Sequence, residues 1–339
     1  MAWASIVGQP VARRLLQQAV RTGRVAQAYL FSGPEGVGKR TAALELARSL
    51  TCLNLQPDGD ACGTCSSCRK LMTVPPVHPD VTLVEPEGRF IKTDQIRSLQ
   101  AAMYARPTEG RTRVAIIDGA DRMNPESGNR LLKLLEEPPS FAVIILLTSN
   151  VSGVLPTILS RCQIVHFPPV PAEAVAEVLE RIAGLDPRQA RLFAALSGGS
   201  IGQAMRLAQD PTAAEQREGA AAFLERLRDQ DDFDLLREAE ALEKQKDQLD
   251  QWLEWLLIWL RDALLVAKTG SDQLVLNADR LPEVHRLAGR FGAAPLLSML
   301  TIVVETRRHI QRNANLRLAL DLMMLRLGAT ARTAGTATY

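Results

Sequence analysis

Two apolar periodicities divide the chain. Between residues 28 and 167, five short runs read as strands: Ala28–Ser32, Arg113–Asp118 and Ala142–Thr148, which are largely apolar, Val77–Val84, entered through a Pro-rich turn, and the strand-like Gln163–Phe167. Runs of this length with little polar alternation predict strands buried on both faces. Helical spacing lies between them: 11–22, with Val11, Leu15, Leu16 and Ala19 on one face; 40–50; Thr93 (a candidate N-cap) towards Tyr104; and 129–136, closed by Pro138-Pro139. Strand and helix in alternation predict a doubly wound α/β domain over 1–168. Beyond Pro168-Pro-Val-Pro171 the pattern is helical throughout, with stretches at 172–182, 187–196 and 203–208 and a further series from Thr212. A lid is expected over 169–210 and a larger all-α domain over 211–327. Within that domain Trp252, Trp255 and Trp259 have helical spacing and read as core. Residues 328–339 read as a disordered tail.

Composition changes this picture little. With 46% apolar and 23% charged residues and a net charge of +2 over 339 residues, no global field draws the chain to nucleic acid or membrane. DNA contact would need a local patch; Arg97, Arg106, Arg111 and Arg113 are candidates, and solvated surface arginines are the competing reading. The chain begins without a signal pattern and has no long uncharged apolar run, so cytoplasm is the expected compartment, without a membrane partner.

Two constellations carry chemistry. Gly33-Pro-Glu-Gly36-Val-Gly38-Lys39 follows a strand and opens a helix, the setting in which backbone N–H groups and a lysine meet a polyphosphate. The next position, where a Ser or Thr hydroxyl would ligate Mg²⁺, is Arg40; Thr41 is adjacent but turned away by about 100° along the helix. Asp118, ending an apolar run, is the carboxylate that would help to hold the metal. The second constellation is Cys52, Cys62, Cys65 and Cys68, whose spacing predicts a closed, structural Cys₄ zinc site rather than redox thiols. His78 reads as a loop histidine, His166 as a satisfied core histidine and Cys162 as a small buried residue.

The phosphate loop, the Cys₄ insert, Asp118 and Leu159-Ser-Arg-Cys162 together resemble the bacterial clamp-loader AAA+ subunits, as do Ile91–Arg97, Asp118–Asn124, Asn129–Pro139 and Asn313–Leu320. The resemblance spans nearly the whole chain and is strongest through residue 167. It implies an α/β P-loop (AAA+) core with a zinc insert at about 52–68, an α-helical lid and an all-α collar that assembles a hetero-pentameric ring. The implied partners are the tau/gamma and delta subunits and, through the complex, the sliding clamp and primer-template DNA. It also implies that Arg161 is an arginine finger for the ATP held by a neighbouring tau/gamma subunit. Active relatives carry a glutamate where Gly119 stands and a lid arginine where Gly202 stands. With Arg40, these departures leave Gly33, Gly36, Gly38, Lys39, Thr41 and Asp118 as a degenerate nucleotide site, for which ATP/Mg²⁺ binding is expected to be weak or absent and hydrolysis negligible. Two alternatives are an active tau/gamma-like ATPase, against which residues 40, 119 and 202 speak, and a zinc-dependent DNA-binding regulator. The few basic residues over 52–68 make the regulator the weaker.

Overall fold

Why five apolar runs become one sheet is seen in their burial. The computed structural model describes residues 3–334 apart from 89 and 313. Strands β1 (Ala28–Ser32), β2 (Val81–Val84), β3 (Arg113–Asp118), β4 (Ala142–Thr148) and β5 (Gln163–His166) are parallel, in the order β2-β3-β4-β1-β5. Central β1 and β4 are buried at every position, whereas edge strand β5 buries only Val165 and carries polar Gln163 and His166. Alternate side chains build two cores. Tyr29, Phe31, Ile116, Ile145 and Leu147 pack with residues of helices α1 (Pro10–Thr22) and α2 (Lys39–Thr51). Following the chain through α3 (Ser66–Leu71) of the cysteine insert, Leu30, Ala115, Ile117, Ile144 and Leu146 pack with α4 (Thr93–Tyr104) and α5 (Pro125–Glu136).

Several boundaries and faces differ from the sequence reading. The α1 stripe is Ala12, Leu16 and Val20, with Val11 exposed, because Val20 extends the helical row that starts at Ala12. Strand β2 begins at Val81, and His78 contributes a single bridge before it. Thr93 is the first helical residue of α4, not its cap; Gln95 reaches back to accept the Lys92 N–H at 2.8 Å.

The chain divides into two compact units, 1–175 with 198–203, and 176–197 with 204 onward. The first also holds α6 (Pro156–Leu159). After α7 (Ala172–Val178) and a π-turn, the helices are α8 (Pro187–Leu196), α9 (Ile201–Gln209), α10 (Ala213–Arg226), α11 (Asp232–Lys244), α12 (Lys246–Thr269), α13 (Leu281–Phe291), α14 (Ala293–Gln311) and α15 (Leu316–Thr333). The expected separation of a lid over 169–210 from a collar over 211–327 is not followed: Leu192 and Leu196 of α8 and Leu207 of α9 join one core with Phe223, Trp255, Trp259, Met299 and Met323. Trp255 and Trp259 are fully buried there, and the Trp259 indole donates to the Arg217 carbonyl at 3.1 Å. Residues 328–333, expected in a disordered tail, are helical. Helix α15 runs to Thr333 and buries Gly328 and Ala331; Gly328 lies so close to Leu235 that a Cβ would stand 2.3 Å from it. Residues 335–339 lie outside the described residues.

Candidate nucleotide and metal sites

The phosphate loop leaves the C-terminal end of β1 and enters α2, with Asp118 ending β3 on the same edge of the sheet. Gly36 has φ +73°, and its carbonyl accepts the Gly202 N–H at 3.0 Å. A Cβ on Gly202 would lie 3.1 Å from Gly36 Cα, so two backbones meet where a side chain would intrude. Glycine at 202 thus lets the second backbone come within hydrogen-bond distance of the loop. Lys39 is buried; its Nζ donates to the carbonyls of Gly33 and Pro34, each at 2.6 Å, and burial lowers its pKa. Arg40 does more than omit a hydroxyl. Its guanidinium pairs with Glu85, the residue just after β2, and lies 3.5 Å from Asp118 Oδ2. Burial raises the Asp118 pKa, and the Arg40 charge opposes that rise. Beside this pair a cavity of about 220 Å³ is lined by Glu35, Lys39, Glu85, Asp118, Gly119, Asp121 and Arg122. Thr41 is exposed and does not line it. Gly119 has φ +83°, a conformation that penalises a glutamate by about 1 kcal/mol.

The four cysteines converge. Their sulfurs all lie within 4.8 Å of one another, with Cys62–Cys68 at 3.9 Å and Cys52–Cys68 at 3.6 Å. Four thiolates at about 2.3 Å from a tetrahedral ion stand about 3.8 Å apart, so the donor set fits a metal ion. Backbone N–H groups of Cys62, Cys65 and Cys68 point at the sulfurs of Cys52, Cys62 and Cys65 at 3.3–3.4 Å. The N–H groups of Thr64 and Cys65 hold the Cys62 thiol down to about 6, while burial holds Cys68 up. A second layer fixes this insert. His78, expected in a loop, is buried: Nδ1 accepts the Asp80 N–H at 3.0 Å, which assigns the proton to Nε2, 3.0 Å from Ser67 Oγ. Ser67 donates to Thr51, which donates to the Ala47 carbonyl of α2. The indole of Trp3 donates to the Gly59 carbonyl at 3.0 Å.

Arg161 follows Ser160, the C-cap of the short helix α6, and is exposed. Its Nη1 donates to the Thr157 carbonyl at 3.0 Å, and its Nη2 donates to Glu136 Oε1 at 2.8 Å.

Residues 8–171 match the family model described as "DNA polymerase III, delta subunit", and residues 214–328 match "DNA polymerase III, delta subunit, C terminal". The delta-prime subunit of DNA polymerase III from Bacillus subtilis (strain 168) is 30% identical over 94% of this chain and 96% of its own. The chain belongs to the DNA polymerase III delta-prime family. A delta-prime subunit from Pseudomonas aeruginosa is 32% identical over 88% of this chain and 90% of its own. Among solved structures, a gamma-subunit-related protein from Thermotoga maritima aligns over 94% of this chain with a TM-score of 0.47 and 20% identity.

In this delta-prime family member, other sequence candidates take different places. Arg113 is removed from any DNA patch: it is buried, 3.6 Å from Asp80, and donates to the Arg106 carbonyl. Arg97 is exposed and paired with Asp94. His166 is exposed on the edge strand rather than in the core, with Nδ1 2.8 Å from Ser32 Oγ. Cys162 is partly buried, and burial raises its thiol to about 11. Among the described residues no single helix is long and apolar enough to cross a membrane. Sequence reasoning missed Glu85 and Glu136. A carboxylate directly after a strand was the available signal for Glu85, but only the strand order sets β2 beside β3.

Proposed function

We propose that this chain is a non-hydrolysing subunit of the DNA polymerase III clamp loader that donates Arg161 to the ATP site of a neighbouring tau/gamma subunit. The carrying observation is the Arg40 guanidinium on Glu85 and Asp118, which places a fixed cation beside the carboxylate expected to hold the metal. Three chemical parts are altered separately: the metal ligand at 40, the water-activating position at 119 and the phosphate-reading position at 202. Arg161 supports the second half of the reading, since its guanidinium, oriented by the Thr157 carbonyl and by an exposed pair with Glu136 that a phosphoryl group could replace, is a planar cationic fork able to stabilise charge on a transferred phosphoryl. In this reading the Cys₄ site is structural zinc, closed to substrate by its four sulfurs. The helices from Ala213 onward serve as the collar of a hetero-pentameric ring with tau/gamma and delta, which acts with the sliding clamp on primer-template DNA. Cytoplasm is the compartment that fits this role.

The test is ATP hydrolysis by the reconstituted loader with clamp and primed DNA, comparing wild type with Arg161→Ala, alongside the isolated chain. A silent isolated chain and a loss of about 10³-fold or more in the complex support the reading. Lys39-dependent hydrolysis by the isolated chain identifies an ATPase instead.

A further inference from the structure

We propose that Arg40 is a tethered cation standing in the magnesium position, so that the phosphate loop is saturated from within and shut to metal–nucleotide. This rests on the non-hydrolysing reading and gives it a physical cause. Three contacts carry it. The Arg40 guanidinium pairs with Glu85 and lies 3.5 Å from Asp118, bridging the carboxylate that follows β2 and the one that ends β3. Lys39 Nζ is engaged by two loop carbonyls at 2.6 Å. The Gly36 carbonyl is taken by the Gly202 N–H at 3.0 Å.

Mg²⁺ needs near-ideal octahedral oxygen ligands and gives up its water reluctantly. To reach Asp118 it would have to displace a guanidinium that is permanently charged and covalently tethered one residue from Lys39. A divalent ion and a guanidinium cannot share those carboxylates without strong repulsion at that separation. Without the metal, a polyphosphate would face Glu35, Glu85, Asp118 and Asp121 across the small cavity, against Lys39 and Arg122 in its lining and Arg40 paired with two of those carboxylates. The carboxylates outnumber the cations, so these side chains give a metal-free nucleotide no net attraction beyond that of the loop N–H groups. Replacing Arg40 therefore restores metal access rather than merely removing a side chain. Threonine also supplies the missing hydroxyl.

The experiment measures binding of a fluorescent ATP analogue to the full chain by anisotropy, in Mg²⁺ and in EDTA. Wild type is expected to show the same weak binding in both. Arg40→Thr is expected to bind at least tenfold more tightly in Mg²⁺ than in EDTA, and Lys39→Ala in that background removes the gain. Arg40→Met, which frees the carboxylates without adding a hydroxyl, shows a smaller metal-dependent gain and guards against a folding defect peculiar to threonine. Mg²⁺-dependent binding by wild type equal to that of Arg40→Thr overturns the proposal. So does a lack of metal dependence in both variants when their melting matches wild type. Neither result bears on Arg161, whose role is read in the assembled loader.

Discussion

Asp80 offers a quantitative test of how the α/β unit is held. Its carboxylate is fully buried and accepts the backbone N–H groups of Thr108 at 2.6 Å, Glu109 at 2.8 Å and Gly110 at 3.0 Å, with Arg113 at 3.6 Å. It ties the loop before β3, and hence the strand that ends in Asp118, to the approach to β2. In Asp80→Asn one oxygen can still take the Glu109 and Gly110 donors, but the amide group then faces the Thr108 N–H, donor against donor. Arg113, itself buried, loses its counter-charge. One lost charge-assisted bond contributes about 1.5–3 kcal/mol, and breaking a buried pair costs about 3–5 kcal/mol. Because the two terms overlap, about 3–5 kcal/mol is the expected loss. Urea unfolding followed by far-UV circular dichroism, fitted for two transitions, reads it in the transition of the α/β unit. The pH dependence has a fixed sign. Burial alone would raise the Asp80 pKa, but the three N–H donors and Arg113 together hold it below the usual range. A depressed folded pKa means that the stabilisation is complete above the unfolded value of about 4 and fades only as pH falls through the lower folded value. The wild-type advantage should therefore be constant from pH 7 to 5 and shrink in stronger acid. A loss under about 1 kcal/mol, or an advantage that declines between pH 7 and 5, would refute this account.

Other expectations are compact. Arg161→Ala should leave the melting temperature of the isolated chain within about 2 °C, because a partly exposed pair contributes about 0–1 kcal/mol; a larger drop marks Arg161 as structural. Elemental analysis should find one zinc per chain, lost on Cys65→Ser, and its affinity should weaken as pH falls, since protons must leave raised thiols such as Cys68. A metal content that survives the substitution removes the four-sulfur site. Gly202→Ala should destabilise the α/β unit by about 1–3 kcal/mol through the clash with Gly36, measured by the same urea curves; an unchanged midpoint means the loop yields freely.

Strands β1, β3 and β4 were legible because parallel strands buried on both faces are apolar without interruption, and the phosphate loop because its glycines have fixed spacing. The cysteines were legible for a similar reason: metal ligands sit close in sequence as well as in space. What escaped depends on pairing across the fold. Arg113 looks like surface charge until Asp80 lies against it. His78 looks like a loop residue until Ser67 and the Asp80 N–H satisfy both ring nitrogens. The lid and collar read as separate because the helical pattern breaks between Ala208 and Thr212, a local signal, whereas the apolar face that joins α8 to the later helices is a long-range property.

The Gly36–Gly202 hydrogen bond bears on how this chain can be dissected. Residues 198–203 group with the α/β unit although the sequence on either side of them belongs elsewhere. A recombinant fragment ending at 168 or 175 would look like a whole nucleotide-binding domain by its motifs. It would nonetheless lack the peptide that caps the Gly36 carbonyl. The Gly36 carbonyl, and that flank of the loop, would then be open to solvent and free to take another conformation. Nucleotide affinities measured on such a fragment would describe the cut, not the protein.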